Sequence, residues 1–416
     1  MVPRQKESGV GGEFKLRILT QRNPHLVIAA ATVIPRVALY GVATSGLYGD
    51  FGGVGHDGYL QIAQSLVAAG VYGFDGVHSI ATRAPMEPIL LIPGVLMGAP
   101  MVWALLIHTL LSVFAAWNVF DTARTLGAPD KGALISALAL TLNPWFIWFT
   151  KNPMTYVVAT FLMSCIVRAL ASCHYKTTGF LCGLATMCHP GLTLTMFGAI
   201  GWIFVMDRRA RKYWCCLALL LACGITGAPW IVRNFLVTNR LIPTVEGAGF
   251  QYFIGQSIYE TGHLDLRRVY TVIGKDKGTI AMKYFTLLDD RDNVAFNRAA
   301  RRDFFKTAVT HPLLLAKRML FHTWAFWFWD TLAITRAGHL ILMLPLFGCA
   351  FCALIRQHTR RRAIALSCLV GPVVAINALV TGVIPHAAYS IPLLPVVVLG
   401  LALLTVRPHT MPSPID

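Results

Sequence analysis

The sequence predicts an all-α membrane protein that crosses the bilayer many times. Hydrophobic residues make up 56% of the 416 residues and charged residues 13%, with a mean hydropathy of +0.59, whereas soluble domains carry about 25% charged residues. Apolar runs long enough to cross a bilayer recur along the whole chain. Spanning segments must satisfy their own backbone, and no run alternates like a barrel strand. We therefore expect a bundle of about ten to twelve transmembrane helices.

The positive charge of the chain is concentrated in a few polar segments. The formal net charge is +17, and arginine and lysine collect in the cytoplasmic loops of membrane proteins. We therefore interpret the charge as membrane topology and expect no nucleic acid partner. The clusters are Arg4, Lys6, Lys15, Arg17 and Arg22, then Arg208, Arg209, Arg211 and Lys212, and then Arg356, Arg360, Arg361 and Arg362.

The two ends of the chain are predicted to be short polar tails. Residues 1–24 form a cytoplasmic N-terminal tail, 25–406 the transmembrane domain and 407–416 a C-terminal tail. The first 22 residues lack the apolar core of a signal peptide, so the first span is expected to remain as an uncleaved anchor. The ten cysteines show neither zinc spacing nor a disulfide framework, and we expect no metal and no cofactor.

The N-terminal half alternates spans with one large external loop, residues 44–87. Within it, Tyr59–Ala69 has the apolar spacing of a short amphipathic helix that lies in the membrane interface. Prolines and glycines divide Pro88–Phe120 into one short span and one full span. The other expected elements are spans near His25–Ala43, Gly132–Phe149 and Met154–Ala171, and a loop at Asp121–Lys131.

The C-terminal half contains a broken span and a second external loop, residues 238–330. His189-Pro190-Gly191 interrupts Phe180–Val205, which predicts a kink or two half-helices. The second loop is expected to contain a helix near Val294–Thr310 and an interfacial helix over Leu313–Asp330, which ends in an aromatic cluster. If Leu313–Asp330 spans instead, the arginines after Leu354 fall outside. Further spans are expected near Trp214–Val237, Leu340–Leu354, Ile364–Val380 and Tyr389–Leu404.

The first external loop holds the polar side chains that most suggest chemistry. Carboxylates and arginines next to a membrane span are costly unless they have a partner or a function. A carboxylate can take a proton from a hydroxyl nucleophile, and an arginine can bind a phosphate through two hydrogen bonds. Together they suit group transfer from a phosphate-activated lipid, since no nucleotide-binding signature is present. The residues are Asp50, Asp57, Tyr59, Arg83 and Glu87, joined by His189 and Arg233 from later segments.

Several sequence blocks, in order along the chain, resemble the GT-C membrane glycosyltransferases. They are most similar to the branch around the protein O-mannosyltransferases and the lipid A aminoarabinose transferase. The blocks are Asp57–Leu66 with Thr82–Pro88, Gly183–Pro190, Ala228–Asn234 with Ile242–Thr244, and Tyr389–Pro395. The chain departs from the family pattern at four positions, where it has Glu87, Tyr156, His189 and Ala388.

The resemblance implies a GT-C-like bundle whose two external loops cap the active site. It implies that Asp57 is the general base, with Asp50 as its rival, and that Arg83 and Arg233 bind the lipid phosphate. The further substrate-binding residues that it suggests are His189, Tyr59 and Glu87. The implied reaction is an inverting transfer of a sugar from a polyprenyl-phosphate donor to a hydroxyl of an extracytoplasmic glycan, lipid or protein. The implied location is the bacterial cytoplasmic membrane, with the site facing outside.

Each of these residues also has a plain structural interpretation. Asp57 can cap the helix that follows it, and Arg83 can reach along the interface. Glu87 can pair with the nearby Arg83, Arg233 can make a structural pair, His189 can sit in the kink, and Tyr59 can anchor at the interface. Two other functions stay open at this point. The chain could be a transporter or flippase for a lipid-linked glycan, or a non-catalytic membrane scaffold of envelope assembly.

Overall fold

The computed structural model describes residues 23–44, 58–207, 211–262, 265–272, 290–328, 333–379 and 387–408. Every regular element in these ranges is a helix, which confirms the predicted all-α class. Asp50 and Asp57 lie outside the described residues.

The first nine helices run from the N-terminal span to the broken segment around His189. A 3₁₀ turn, Pro190–Leu192, separates the last two of them. The expected interfacial helix Tyr59–Ala69 has the predicted bounds. The nine are α1 Pro24–Thr44, α2 Tyr59–Ala69, α3 Met86–Leu96, α4 Pro100–Thr125, α5 Asp130–Thr141, α6 Pro144–Thr150, α7 Tyr156–Ala171, α8 Tyr175–Cys188 and α9 Thr195–Met206.

The remaining helices comprise a long span, the helices of the second polar segment and a final group of apolar helices. A 3₁₀ stretch, Ala387–Leu393, precedes the last helix. The predicted helix near Val294–Thr310 lies within α13. The eight are α10 Lys212–Thr238, α11 Ala248–Thr261, α12 Leu266–Thr271, α13 Asp290–Thr310, α14 Pro312–Phe328, α15 Ala333–Ile355, α16 Arg360–Leu379 and α17 Leu394–Leu404.

Several of the described helices are long and apolar enough to cross a membrane. Five pass on length and composition alone, within α1, α4, α10, α15 and α16, and the pair α5–α6, bent by 52°, makes a sixth. The shorter apolar helices are α3, α7, the stretch Pro190–Met206 and the stretch Ser390–Leu404. The predicted ten to twelve spans are therefore reached only if these short helices count as spans.

The structure differs from the sequence prediction in two places between α4 and α6. The expected loop Asp121–Lys131 is only four residues long, because α4 continues to Thr125 and α5 already begins at Asp130. The expected continuous span Gly132–Phe149 is broken at Asn143, whose side chain accepts hydrogen bonds from Trp145 N and Phe146 N. Asparagine followed by proline is a favourable start for a new helix, so the chain bends there.

Two hydrogen bonds join helix ends at one end of the bundle, called here the basic end. Arg361 Nε donates to Val205 O at 2.7 Å, which joins the start of α16 to the end of α9. Arg356 Nη1 donates to Leu404 O at 2.7 Å, and this contact adds the end of α17. Arg211 and Lys212, at the start of α10, and the basic cluster at 356–362 therefore belong to the same end, as loops on one side of a membrane would.

The segment interrupted at His189 enters the bundle and returns to the basic end. Tyr175 at the start of α8 donates from its hydroxyl to Asp207 Oδ2, just past α9, at 3.2 Å. Both outer ends of the pair α8–α9 are therefore close together, so the two half-helices do not form one kinked span. α8 packs closely on α10, because a Cβ added at Gly179 would lie 2.2 Å from Leu219 O.

The helices α11, α13 and α14 form a small polar cap. Asp303 accepts hydrogen bonds from Tyr252 Oη at 2.7 Å and Gln256 Nε2 at 3.1 Å. Arg318 of α14 pairs with Glu260 at 3.0 Å and with Asp303 at 3.7 Å. α14 is thus attached to the cap at its N-terminal half, and it is not among the helices that pass as spans. Both findings favour the interfacial interpretation of Leu313–Asp330.

A single large apolar core holds the bundle together, and α17 runs through it. Nine residues of α17 are buried, and a helix that is apolar on all faces belongs in the interior. Large buried side chains around it include Phe120, Phe146 and Met163. This rigid core supports the polar residues described next.

Candidate functional site

The segment between α2 and α3 is fixed by Tyr72. The hydroxyl of this buried side chain donates to Arg83 O at 3.1 Å and to Ala84 O at 3.0 Å. Burial raises the pKa of Tyr72, although Arg233 and Arg83 oppose the shift, so the phenol stays a neutral donor. The backbone that carries Arg83 is therefore held in place by a buried hydrogen bond.

Arg233, near the end of α10, holds the same segment from the other side. Its Nη1 donates to Ile80 O and its Nη2 to Tyr72 O, and its guanidinium lies 4.9 Å from the ring centroids of both Tyr72 and Trp230. These contacts give Arg233 a structural role in holding this segment. The phosphate contact stays a proposal.

The second polar segment packs onto the first through backbone contacts. Glu246 N donates to Ala81 O at 2.8 Å, and Trp230 Nε1 donates to Thr244 O at 2.8 Å. We call residues 70–85, Arg233 and residues 242–246 the outer clasp. The clasp joins the two polar segments that the sequence predicts to be external.

Arg83 is the cation of the outer clasp that lies nearest to α3. Its side chain is half-buried, its Nη1 donates to Thr82 O at 3.0 Å, and its guanidinium lies 6.0 Å from the ring centroid of Phe74. No described ion pair joins it to Glu87, so the pairing suggested by their closeness in sequence is wrong.

Glu87 instead pairs with His108 of α4, and both side chains are fully buried. Glu87 Oε1 lies 3.0 Å from His108 Nε2, and His108 Nδ1 lies 3.1 Å from Thr150 O. Because a carbonyl only accepts, Nδ1 must carry a proton, and the contact with Glu87 then needs a second, shared proton. Glu87 Oε2 is buried without a hydrogen-bond partner among the described residues.

Arg36 of α1 extends this buried polar network, although the sequence analysis did not single it out. Arg36 Nε donates to Thr150 Oγ1 at 3.0 Å, and Nη1 donates to Thr32 O at 3.0 Å and Thr141 O at 3.1 Å. Thr150 thus links Arg36 to His108. An arginine inside an apolar run is a signal that could have found it, because such residues are costly in a membrane.

His189 lies at the junction of α8 with the 3₁₀ turn and is buried. Its Nδ1 accepts a hydrogen bond from Gly191 N at 3.1 Å, so it caps the turn. Its ring centroid lies 5.8 Å from that of Tyr156. The nearby Met187 packs against the cluster of Ile62, Tyr72 and Trp230, which connects this junction to the outer clasp.

Tyr59 is buried at the start of α2, where it packs with Leu91 of α3 and Ala104 of α4. Glu87 lies one turn before Leu91 and His108 one turn after Ala104, on the same helix faces. Tyr59 is therefore close to the buried pair and does not anchor at a surface. Of the predicted residues, Arg83 and Arg233 are linked through Tyr72 in the outer clasp, and Tyr59 packs on the helices that carry Glu87 and His108.

The fold and the site define an integral membrane protein of many helices, with a buried polar centre beneath an outer clasp. No family model matches the sequence, and no curated protein matches it. Among solved structures, the chain is similar to ArnT from Cupriavidus metallidurans, solved bound to undecaprenyl phosphate. The identity is 14% over 89% of this chain and 77% of that chain, with a TM-score of 0.40. A likeness at this level assigns the chain neither a family nor an activity.

The hydroxyl of Tyr72 should contribute measurably to the stability of the clasp. In Tyr72→Phe, two buried carbonyls lose their donor, so we expect the free energy of unfolding to fall by about 1–2 kcal/mol. Thermal unfolding in detergent measures this change. Tyr213→Phe is the matched control, since Tyr213 is 64% exposed near the basic end, and it should change stability by less than about 0.5 kcal/mol. Equal effects of the two variants would contradict the role of Tyr72.

Proposed function

We propose that the chain is an inverting glycosyltransferase. It would transfer a sugar from a polyprenyl-phosphate donor to a hydroxyl of a glycan, lipid or protein on the outer side of the membrane. The observation that supports it best is the buried carboxylate Glu87, which lies beneath a clasp that positions Arg83 and contains Arg233. Cations and carboxylates close together in a dry site suit transfer of a group from a phosphate.

In the proposed reaction, the carboxylate of Asp57 takes the proton of the acceptor hydroxyl as its oxygen attacks the anomeric carbon. The bond from that carbon to the phosphate oxygen breaks, and its electron pair leaves with the polyprenyl phosphate. Arg83 neutralises the growing negative charge on the phosphate, and Arg233 assists directly or by holding the clasp. A single displacement inverts the anomeric centre.

The surroundings of Gly58, the residue after Asp57, support this assignment. Gly58 directly precedes α2, and Tyr59 packs against the same faces of α3 and α4 that carry Glu87 and His108. Chain connectivity thus brings the residue after Asp57 to within about one or two helical turns of the buried pair. Glu87 Oε2 would accept a hydrogen bond from a sugar hydroxyl, and His189 and Tyr59 would complete the substrate contacts.

The proposal is tested by reconstituting the protein with a panel of polyprenyl-phosphate sugars and a mixture of hydroxyl acceptors. We expect one polyprenyl phosphate to be released per sugar transferred, with the opposite anomeric configuration in the product by NMR. Protein-free vesicles give the background. A product of retained configuration would contradict the mechanism. Donor that crosses the vesicle membrane without being cleaved would contradict the function and indicate a transporter.

A further inference from the structure

An apolar groove lies between α15, α16 and α17, with Trp327 of α14 in its wall. Its volume is about 620 Å³, and its wall includes Trp327, Phe347, Val370 and Leu403. The hydroxyl of Ser367, a polar side chain in the wall, is bonded to Ala363 O at 2.9 Å, so the wall behaves as apolar. Along α16 the wall extends from Ala363 to Ala375, about 18 Å, which is close to the thickness of one hydrocarbon leaflet, about 15 Å.

Three arginines stand where this groove reaches the basic end. Arg360 continues the groove face of α16 by one turn beyond Ala363, and Arg407 follows the end of α17, four residues after the groove residue Leu403. Arg356 follows the end of α15, where its Nη1 donates to Leu404 O at 2.7 Å. All three side chains are exposed. No described salt bridge joins Arg356 or Arg360 to a carboxylate.

We propose that the groove is a binding site for an anionic glycerophospholipid from the leaflet at the basic end. One acyl chain lies along α16, and the phosphate meets Arg356, Arg360 and Arg407. An apolar slot that opens at a cluster of arginines matches such a lipid in both polarity and charge. A zwitterionic lipid or an uncharged chain could fill the slot but would not bring the net negative charge that a cluster of arginines attracts.

The proposed lipid differs from the proposed sugar donor in its position. Along α10, Arg233 lies about 32 Å from Lys212 at the basic end. The phosphate of a donor held in the outer clasp is therefore on the other side of the membrane from Arg356, Arg360 and Arg407. The lipid site does not depend on the glycosyltransferase proposal.

Filling the groove tests the acyl-chain part of the proposal. A Cβ added at Gly371, in the groove wall, has no atom within 4 Å, so Gly371→Leu introduces a side chain there without a clash at its Cβ and is designed to occupy the groove. Gly348 is its matched control on α15, since its Cβ is equally unobstructed and it does not line the groove. At both sites leucine has a higher helix propensity than glycine, so neither substitution should weaken its helix.

The proteins are placed in nanodiscs that contain equal amounts of phosphatidylglycerol and phosphatidylcholine. They are then extracted into mild detergent, and the retained lipid is measured by native mass spectrometry.

We expect wild type and Gly348→Leu to retain phosphatidylglycerol. Gly371→Leu should retain at least tenfold less of this lipid than wild type does. The triple variant Arg356→Gln/Arg360→Gln/Arg407→Gln tests the charge and should bind phosphatidylglycerol about 100-fold more weakly. Its control, Lys131→Gln/Lys176→Gln/Arg211→Gln, removes three exposed charges from other helix starts and should bind as wild type. Equal retention of both lipids by wild type would overturn the proposal. So would retention of polyprenyl lipid in their place, or a dimer that Gly371→Leu dissociates.

Discussion

Replacing Asp57 by asparagine should reduce the rate of sugar transfer by roughly 10²- to 10⁴-fold, the range that a general base contributes. Asparagine has nearly the same size and can still accept a hydrogen bond, but it cannot take the proton of the attacking hydroxyl. The loss should appear in kcat, while the KM for the donor stays within about threefold, because the proton is moved only in the transition state. Initial rates of polyprenyl phosphate release measure both constants.

Two further carboxylates of the same loop serve as comparisons for Asp57. Asp50→Asn should leave the rate within about threefold if Asp57 is the base. Asp75→Asn should do the same, because Asp75 is exposed and accepts hydrogen bonds from His78 N and the His78 ring at 2.8 and 2.7 Å. These bonds hold the pKa of Asp75 well below its usual range, so it is a poor base. A large loss in Asp50→Asn with none in Asp57→Asn would assign the base to Asp50.

Much of the fold could be predicted because a membrane helix is determined mainly by the residues of its own segment. An apolar run of sufficient length forms a helix wherever it lies, so the bounds of α1, α7 and α10 follow closely from composition. Proline and glycine residues likewise indicated where the apolar runs break into separate helices. The return of α8–α9 to the basic end could not be predicted, because a break at His189-Pro190 allows either a kink or a reversal. The contact of Tyr175 with Asp207 decides between them.

The sequence analysis named most of the candidate site residues, but it did not predict which residues they contact. Tyr59, Arg83, Glu87, His189 and Arg233 were each singled out from type and position, since polar residues near spans are conspicuous. Pairing with Arg83, four residues away, was the structural alternative considered for Glu87. His108 is 21 residues away, inside an apolar run, and only the packing of α3 against α4 brings it close. Arg36 and Thr150 meet for the same reason.

The Glu87–His108 pair should have the largest effect on stability of any single contact in the site. In Glu87→Ala, His108 keeps its bond to Thr150 O but loses the group on Nε2, and a cavity is left at a fully buried position. We expect the free energy of unfolding to fall by about 3 kcal/mol, from the unpaired ring nitrogen and the cavity together. Thermal or denaturant unfolding of the purified protein in detergent measures the change. For comparison, Asp130→Ala breaks an exposed pair with Arg124 and should cost less than about 1 kcal/mol.

Glu87→Gln separates the structural part of this effect from a role in transfer. The glutamine amide can donate to His108 Nε2, so the contact survives without a shared proton and the stability should stay within about 1 kcal/mol of wild type. A rise in the KM for the sugar donor in a stable Glu87→Gln protein would then point to contact between the carboxylate and the substrate. The structural part has its own check in the double variant Glu87→Ala/His108→Ala. If the pair acts as a unit, the two losses overlap by about 1–3 kcal/mol, whereas losses that add would show that the two residues are held independently.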